Sequence, residues 1–126
     1  MAEAVLDASA LLAALLLEPG HETVREADGA GISAVNLAEV YARADERGAG
    51  NGRVDAIVEL MSIAVHGFAR GDARLTAALR RSTRHLGLSL GDRACLALGQ
   101  RLGLPVMTAD RRWAELDIGV EVHLIR

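Results

Sequence analysis

Four acidic residues stand where the sequence predicts that a strand ends or a helix begins: Asp7, Glu39, Asp92 and Asp110. The first follows the apolar run at 4–6, and the last follows a similar run at 105–108. In open α/β sheets, ligands bind beyond the carboxyl ends of the strands, so residues far apart in sequence can meet there. Because clustered buried carboxylates without a partner are costly, the pattern predicts a cation site.

The ligand types indicate which cation such a site would bind. Carboxylates without a nearby His or Cys cluster suit Mg²⁺ or Mn²⁺ better than zinc, and the four histidines are dispersed without ligand spacing. A divalent cation makes a bound water a better nucleophile and neutralises charge on a phosphoryl group. The predicted chemistry is therefore hydrolysis of a phosphodiester or phosphomonoester, with one or two metal ions.

Two of the acids also have simpler explanations. Asp92 is a candidate cap that the helix dipole favours, and Glu39 is a candidate for an ion pair with Arg43 one turn later. Asp7 has few such explanations, because it separates an apolar strand from an apolar helix. Asp110 has the same standing at another strand end.

Other enzyme classes that place aspartate at strand ends fit the sequence less well. A phosphoacceptor receiver domain requires a lysine, and the chain has none. An aspartyl-phosphate phosphatase needs a second aspartate two residues after the first, where Ser9 stands. Serine hydrolysis is weaker still, since Ser9 lies outside a G-x-S-x-G motif.

The elements that must position these acids alternate along the chain. Short apolar segments predict strands, with helices between them, at 3–7, 30–33, 105–108 and 120–125. This order predicts an α/β fold with a parallel sheet covered on both faces. A length of 126 residues without an interdomain linker indicates one domain over 1–126.

The helical segments have recognisable boundaries. Ser33 is a candidate N-cap for a helix through Glu39 to about Arg47, and the glycines at 48–52 predict a flexible turn. Apolar spacing predicts helices at 53–68 and 72–86, a pair we interpret as an insertion on the sheet core. Ser89 to Asp92 resembles a capping box before the next helix.

Composition favours a compact domain with an aliphatic core. Hydrophobic residues make up 51% of the chain and aromatic residues only 2%, which argues against a base-stacking single-strand binding module. The net charge is −3, yet without the four candidate ligands 13 acids face 14 arginines. Cys95 stands alone, and neither a spanning segment nor a signal peptide is evident, so we expect a cytoplasmic protein without membrane contact.

Four ordered segments then resemble the motifs of PIN-domain ribonucleases, specifically VapC-type toxins: residues 5–12, 32–40, 88–92 and 106–111. The resemblance covers nearly the whole chain. It implies a PIN-like α/β/α sandwich with a central, mainly parallel sheet of four to five strands. It also implies an endoribonuclease that depends on Mg²⁺ or Mn²⁺, cleaves single-stranded or loop RNA and acts as the toxin of a type II toxin-antitoxin pair. The alternative is a non-catalytic PIN-like module that binds RNA or protein.

The resemblance also assigns individual residues. Asp7, Glu39, Asp92 and Asp110 match the acidic quartet that binds metal and performs catalysis. Ser9 and Thr108 match supporting polar positions, as does Asn36, although the family usually has Ser or Thr there. Arg93, Arg111 and Arg112 directly follow two of the acids, so they are candidate contacts for RNA phosphates or, equally, solvated surface residues.

The expected partners follow from the same resemblance. It implies a VapB-type antitoxin encoded nearby, and a homodimer or hetero-oligomer. The helices at 54–68 and around 22–27 are candidates for an apolar groove that accepts a partner helix, although core packing accounts for most of their side chains. An arginine of the partner is a candidate for entering the acidic pocket.

Overall fold

A computed structural model describes residues 3–126 of the chain. The strands and helices alternate along it. The strands are β1 Val5–Leu6, β2 Gly31–Ser33, β3 Ala64–His66, β4 Val106–Thr108 and β5 Val122–Leu124. The helices are α1 Ala8–Leu16, α2 His21–Arg25, α3 Ala34–Glu46, α4 Asn51–Leu60, α5 Arg70–Thr83 and α6 Leu90–Leu102, and short 3-10 helices lie at Arg84–Leu86 and Arg111–Glu115.

All five strands pair in parallel in the order β3-β2-β1-β4-β5. Val5 in the central strand lies in register with Gly31 on one side and Val106 on the other. The chain leaves β1 for β2 on one side and later returns to β4 on the other, so the strand order changes direction at β1. The carboxyl ends of β1 and its neighbours therefore form the crevice in which such sheets bind ligands.

Two apolar layers cover the sheet, which confirms the predicted sandwich. Leu6 packs in the layer that contains α1 to α4, whereas Val5 packs against α6 and the fully buried Trp113. Successive side chains of a strand point to opposite faces, so two residues suffice for β1 to anchor both layers. The core is aliphatic, as the composition predicts.

The segment at 53–68 differs from its prediction as a single helix. Helix α4 begins at Asn51, so two residues of the predicted glycine turn are helical, and it ends at Leu60. The chain turns at Ser62, whose φ is 52°, and continues as edge strand β3. The interpretation of a helical insertion is therefore wrong, since this segment supplies a strand of the sheet.

The misassignment has a physical cause. Only Val54 and Ile57 of the apparent helical stripe are buried within α4, whereas Val65 is 46% exposed on the sheet edge. An edge strand of three residues is too short to show alternation, so helical spacing dominated the pattern. The predicted helix at 72–86 also ends earlier, at Thr83, and continues as 3-10 helix.

Between residues 3 and 126, the longest helices are too short or too polar to cross a lipid bilayer.

Candidate functional site

A cleft of about 330 Å³ lies beyond the carboxyl ends of β1 and β2, beside the start of α6, and all four predicted acids line it. The topology explains this convergence: Asp7 follows β1, Asp110 follows β4, Glu39 lies on α3 directly after β2, and Asp92 lies in the first turn of α6. The structure thus brings together residues that lie as far as 103 positions apart in the sequence, Asp7 and Asp110.

Asp7 is the most deeply placed acid of the cleft, with 5% of its surface exposed. Its Oδ1 accepts hydrogen bonds from Ser9 Oγ at 2.7 Å and from the Ala10 backbone N–H at 2.8 Å, so it also caps α1. Its Oδ2 accepts one from Thr108 Oγ1 at 2.5 Å. Burial raises the pKa of Asp7 to about 6, because these hydrogen bonds only partly offset the loss of water and the nearby Asp92 adds repulsion.

The two hydroxyl residues link the ends of β1 and β4. Ser9 Oγ accepts a hydrogen bond from the Ala109 N–H at 2.9 Å, and Thr108 Oγ1 accepts one from the Asp110 N–H at 3.0 Å. Both hydroxyls also donate to Asp7. They therefore fix the carboxylate of Asp7 relative to the backbone that leads to Asp110.

Asn36 joins α3 to α6 at the opposite side of the cleft. It is 1% exposed, and its Nδ2 donates to Glu39 Oε1 at 3.2 Å and to the Gly91 carbonyl oxygen at 2.9 Å. Glu39 forms no ion pair with Arg43 within the described residues, so the alternative assignment of Glu39 to a surface pair is wrong. Asn36 thus orients Glu39 into the cleft.

Asp92 caps α6 and lines the cleft at the same time. Its Oδ2 accepts from the Ser89 N–H at 3.0 Å, while Ser89 Oγ accepts from the Asp92 N–H at 3.1 Å. This reciprocal pair is the predicted capping box. The carboxylate sits at the positive end of the helix dipole, which stabilises its charge.

Asp110 differs from the other three acids because its carboxylate forms an ion pair with the guanidinium of Arg112. Arg112 donates through Nε to Oδ1 at 3.0 Å and through Nη2 to Oδ2 at 2.6 Å. These bonds hold the pKa of Asp110 below its ordinary value. Arg112 also donates through Nη1 to the Leu86 carbonyl at 2.7 Å, so it links Asp110 to the 3-10 helix that follows α5.

The predicted arginines take three different positions. Arg93 is 8% exposed, and its Nη1 donates to the Thr76 carbonyl at 3.0 Å. Its burial and this hydrogen bond argue against the predicted contact between Arg93 and an RNA phosphate. Arg112 is engaged with Asp110, and Arg111 is exposed.

Sequence reasoning missed Arg43 as a residue of the site. This exposed arginine lines the acidic cleft and, with Ser9, also a neighbouring cavity of about 500 Å³. Its position one turn after Glu39 was the available signal, because residues at i and i+4 share a helix face.

The donor set of the cleft fits a hard divalent cation. The four acids in its lining offer only oxygen ligands, and no histidine is among the described residues that line it. The charge of buried Asp7 lacks an arginine partner among the described residues. Within residues 3–126, however, no group of three or more acids, histidines or cysteines is already arranged to hold one ion. Within the described residues, Asp110 forms an ion pair with an arginine, whereas Asp7, Glu39 and Asp92 form none.

Solved structures with the same fold come from toxin–antitoxin systems. The chain superposes on a DNA-bound VapBC from Salmonella typhimurium with a TM-score of 0.76, 20% identity and full coverage of both chains. VapBC-5 from Mycobacterium tuberculosis, a member of the VapBC family of toxin-antitoxin systems, gives a TM-score of 0.65 and 25% identity over 100% of this chain and 99% of the other. VapC20 from Mycobacterium tuberculosis, described as a sarcin-ricin loop cleaving toxin, gives 0.68 and 15% identity over 93% and 98%.

A comparison with curated proteins gives no match. The family model described as PIN domain matches residues 4–119, which include every residue that lines the acidic cleft and the four predicted acids and hydroxyls around β1 and β4. This match spans far more than half of the chain, and the parallel sheet and its cleft agree with it. The chain belongs to the PIN-domain family.

Proposed function

We propose that the chain is a metal-dependent endoribonuclease that acts as the toxin of a toxin–antitoxin pair. The observation that carries this proposal is the buried carboxylate of Asp7, which shares a cleft with Glu39 and Asp92. A buried carboxylate without a cationic partner destabilises a fold, so its presence favours a role in binding a cation. The membership in the PIN-domain family supports the same role.

The residues of the cleft have distinct roles in this proposal. Asp7, Glu39 and Asp92 would hold Mg²⁺ or Mn²⁺ through carboxylate oxygens, and Asp110 would complete the site once Arg112 releases it. When bound, such a cation makes water more acidic and neutralises charge that develops on a phosphoryl group.

Other side chains would hold these acids in place. Ser9 and Thr108 fix both oxygens of Asp7, Asn36 orients Glu39, and Ser89 fixes one oxygen of Asp92. Fixed ligands reduce the reorganisation that the reaction requires.

RNA is the proposed substrate, in single-stranded or loop form. The structural relative VapC20 is described as a toxin that cleaves the sarcin-ricin loop. Arg43 is exposed and lines the cleft, and Arg111 is exposed directly after Asp110, so both are proposed contacts for phosphates. Such contacts would make RNA affinity fall with increasing salt.

Cleavage of total RNA tests the proposal directly. We expect activity with Mg²⁺ or Mn²⁺, none in EDTA, and a loss of about a hundredfold or more in Glu39→Gln, comparable to the removal of other transition-state electrostatics. Glu59→Gln is the matched control, because Glu59 is exposed on α4 away from the cleft lining. Full activity in EDTA or in Glu39→Gln would contradict the proposed mechanism.

A non-catalytic RNA- or protein-binding module is the second candidate. The ion pair between Arg112 and Asp110 favours it, because this arginine neutralises one of the four acids. Thermal stability in millimolar Mn²⁺ separates the two functions. A binding site at a hundred times its Kd adds about 2.7 kcal/mol to the folded state, whereas a module without the site shows no shift.

A small antitoxin of the VapB type is the proposed partner. The VapBC structures from Salmonella typhimurium and Mycobacterium tuberculosis support this assignment. A cavity of about 270 Å³ lies between the ends of α2 and α4, near the groove expected from the sequence, and Leu60 on its edge is 78% exposed. Val54 and Ile57 of the same helix are core residues. We include homodimerisation or hetero-oligomerisation in the proposal.

A further inference from the structure

Gly91 lies where an added side chain would meet the carboxylate of Glu39. It lies in the first turn of α6, directly before Asp92, and its backbone is helical, so its conformation does not require glycine. A Cβ atom at this position would lie 2.2 Å from Glu39 Oε1 and 2.8 Å from Glu39 Cδ. Because contacts this short do not occur, any residue with a Cβ would displace the carboxylate of Glu39.

The backbone of Gly91 also anchors the amide that holds Glu39. Asn36 Nδ2 donates to the Gly91 carbonyl oxygen at 2.9 Å and to Glu39 Oε1 at 3.2 Å. The reverse amide orientation would set an oxygen against two oxygens, so the network fixes the orientation. Asn36 Oδ1 is then buried without a hydrogen-bond partner among the described residues. The fold tolerates this unsatisfied oxygen, which is costly, while it keeps Glu39 in place.

We propose that Gly91 is a positioning residue of the cleft. It seats the Glu39 carboxylate against the first turn of α6, beside Asp92, and Asn36 clamps the two segments together. Two acids from different helices then share the positive end of one helix dipole. This inference rests on the proposed metal-dependent function and assigns to it a residue without any functional group.

The pair of positions 36 and 91 also accounts for a departure from the expected motif. A serine or threonine hydroxyl is shorter than an asparagine amide and offers one donor, so it cannot satisfy both oxygens that Asn36 reaches. An asparagine at position 36 can therefore bond both the Gly91 carbonyl oxygen and the Glu39 carboxylate that lies against Gly91. The hydrogen bond between the two residues joins α3 to α6.

Substitution of helical glycines by alanine tests the inference. Gly52 lies in α4 and Gly71 in α5, and an added Cβ meets no atom within 4 Å at either position. Helix propensity alone predicts that alanine stabilises all three positions. We expect Gly52→Ala and Gly71→Ala to raise the melting temperature and Gly91→Ala to lower it.

Metal binding provides a readout that a purely structural role would not change. We expect Gly91→Ala to weaken Mn²⁺ binding by about 10- to 100-fold, as for other residues that orient metal ligands, while both controls bind as the wild type does. Titration of the metal alone, followed by thermal stability without RNA, measures this effect. Unchanged Mn²⁺ affinity together with a raised melting temperature in Gly91→Ala would overturn the inference.

A double variant keeps the test decisive if Gly91→Ala fails to fold. Glu39→Ala removes the atoms that the new Cβ would meet, so in this background Gly91→Ala should raise the melting temperature as Gly52→Ala does. An equal loss of stability in both backgrounds would show that Gly91 does not act through Glu39. If the wild type itself shows no response to Mn²⁺, the proposed function fails together with the positioning role.

Discussion

Asp7 combines a structural and a chemical role in one carboxylate. It caps α1 through the Ala10 N–H, as a good N-cap residue does, yet it is almost fully buried. Its pKa of about 6 exceeds the ordinary 3.8, so the folded protein binds the proton more tightly than the unfolded chain. Ionisation of Asp7 therefore destabilises the metal-free fold, by about 3 kcal/mol for a difference of this size.

Asp7→Asn should consequently stabilise the metal-free protein at pH 7.5 while it abolishes cleavage. Asparagine is also a good N-cap and removes the buried charge, so we expect the melting temperature to rise by about 10 °C. Thermal unfolding in EDTA measures the change. Asp117→Asn, at an exposed position, is the control and should leave the melting temperature unchanged. A lower melting temperature in Asp7→Asn would contradict the assigned cost of burial.

The raised pKa also predicts how metal binding depends on pH. The penalty of the ionised carboxylate is absent below about pH 3.8, grows towards pH 6 and is complete above it. Since a cation binds the ionised form, protons compete with it below about pH 6, and Mn²⁺ affinity should fall by about tenfold per pH unit there. Mn²⁺ titrations between pH 5 and 7.5 measure the profile. The same affinity across this range would contradict the role of Asp7 as a ligand.

At the scale of elements, the caps and strand ends could be predicted because local residues determine them. Ser33 and the Ser89–Asp92 capping box are present as the sequence indicates. Strand β3 could not be predicted, since a short edge strand is recognised only by its pairing with β2. The position of Arg93 was predicted from its adjacency to Asp92 in the sequence, but neighbouring residues of a helix point in different directions. The Arg93 side chain points to α5, where it bonds the Thr76 carbonyl oxygen.

The placement of the acids shows the same division. Parallel topology brings strand ends together, so the convergence of Asp7 and Asp110 at one edge follows from the alternation of strands and helices. The partner of Asp110 does not follow from this pattern, because the turn at Arg111–Glu115 decides that Arg112 folds back onto it. The role of Gly91 could not be predicted either, because it depends on the Glu39 carboxylate, which packs where a Cβ atom would lie.

Arg112 connects two short 3-10 helices through the cleft, and its removal should change metal binding. It bonds Asp110 before one of them and the Leu86 carbonyl in the other. Arg112→Ala would release the Asp110 carboxylate and remove a positive charge that opposes a cation, so we expect tighter Mn²⁺ binding. Arg111→Ala, at the exposed neighbour, should show little change. Weaker Mn²⁺ binding in Arg112→Ala would instead show that the arginine holds Asp110 in a productive position.

Among the described residues, no segment of the molecule covers the acidic cleft to inhibit the proposed nuclease. Expression of the chain alone in a bacterial host should therefore arrest growth, and co-expression of the neighbouring gene should restore it. Growth curves with Asp7→Asn as the inactive control measure both effects. Normal growth with confirmed soluble protein, or an arrest that the neighbouring gene fails to relieve, would count against the toxin assignment and leave the nuclease itself standing.

The single tryptophan of the chain provides a fluorescence signal close to the cleft. Trp113 is fully buried against the α6 side of the sheet, three residues after Asp110, and its backbone N–H donates to the Asp110 carbonyl oxygen. A ligand that draws Asp110 away from Arg112 acts on the turn that carries this ring, so we expect it to change the environment of the indole. Intrinsic fluorescence therefore follows occupancy of the cleft as well as unfolding of the core, and the native protein needs no attached dye for either.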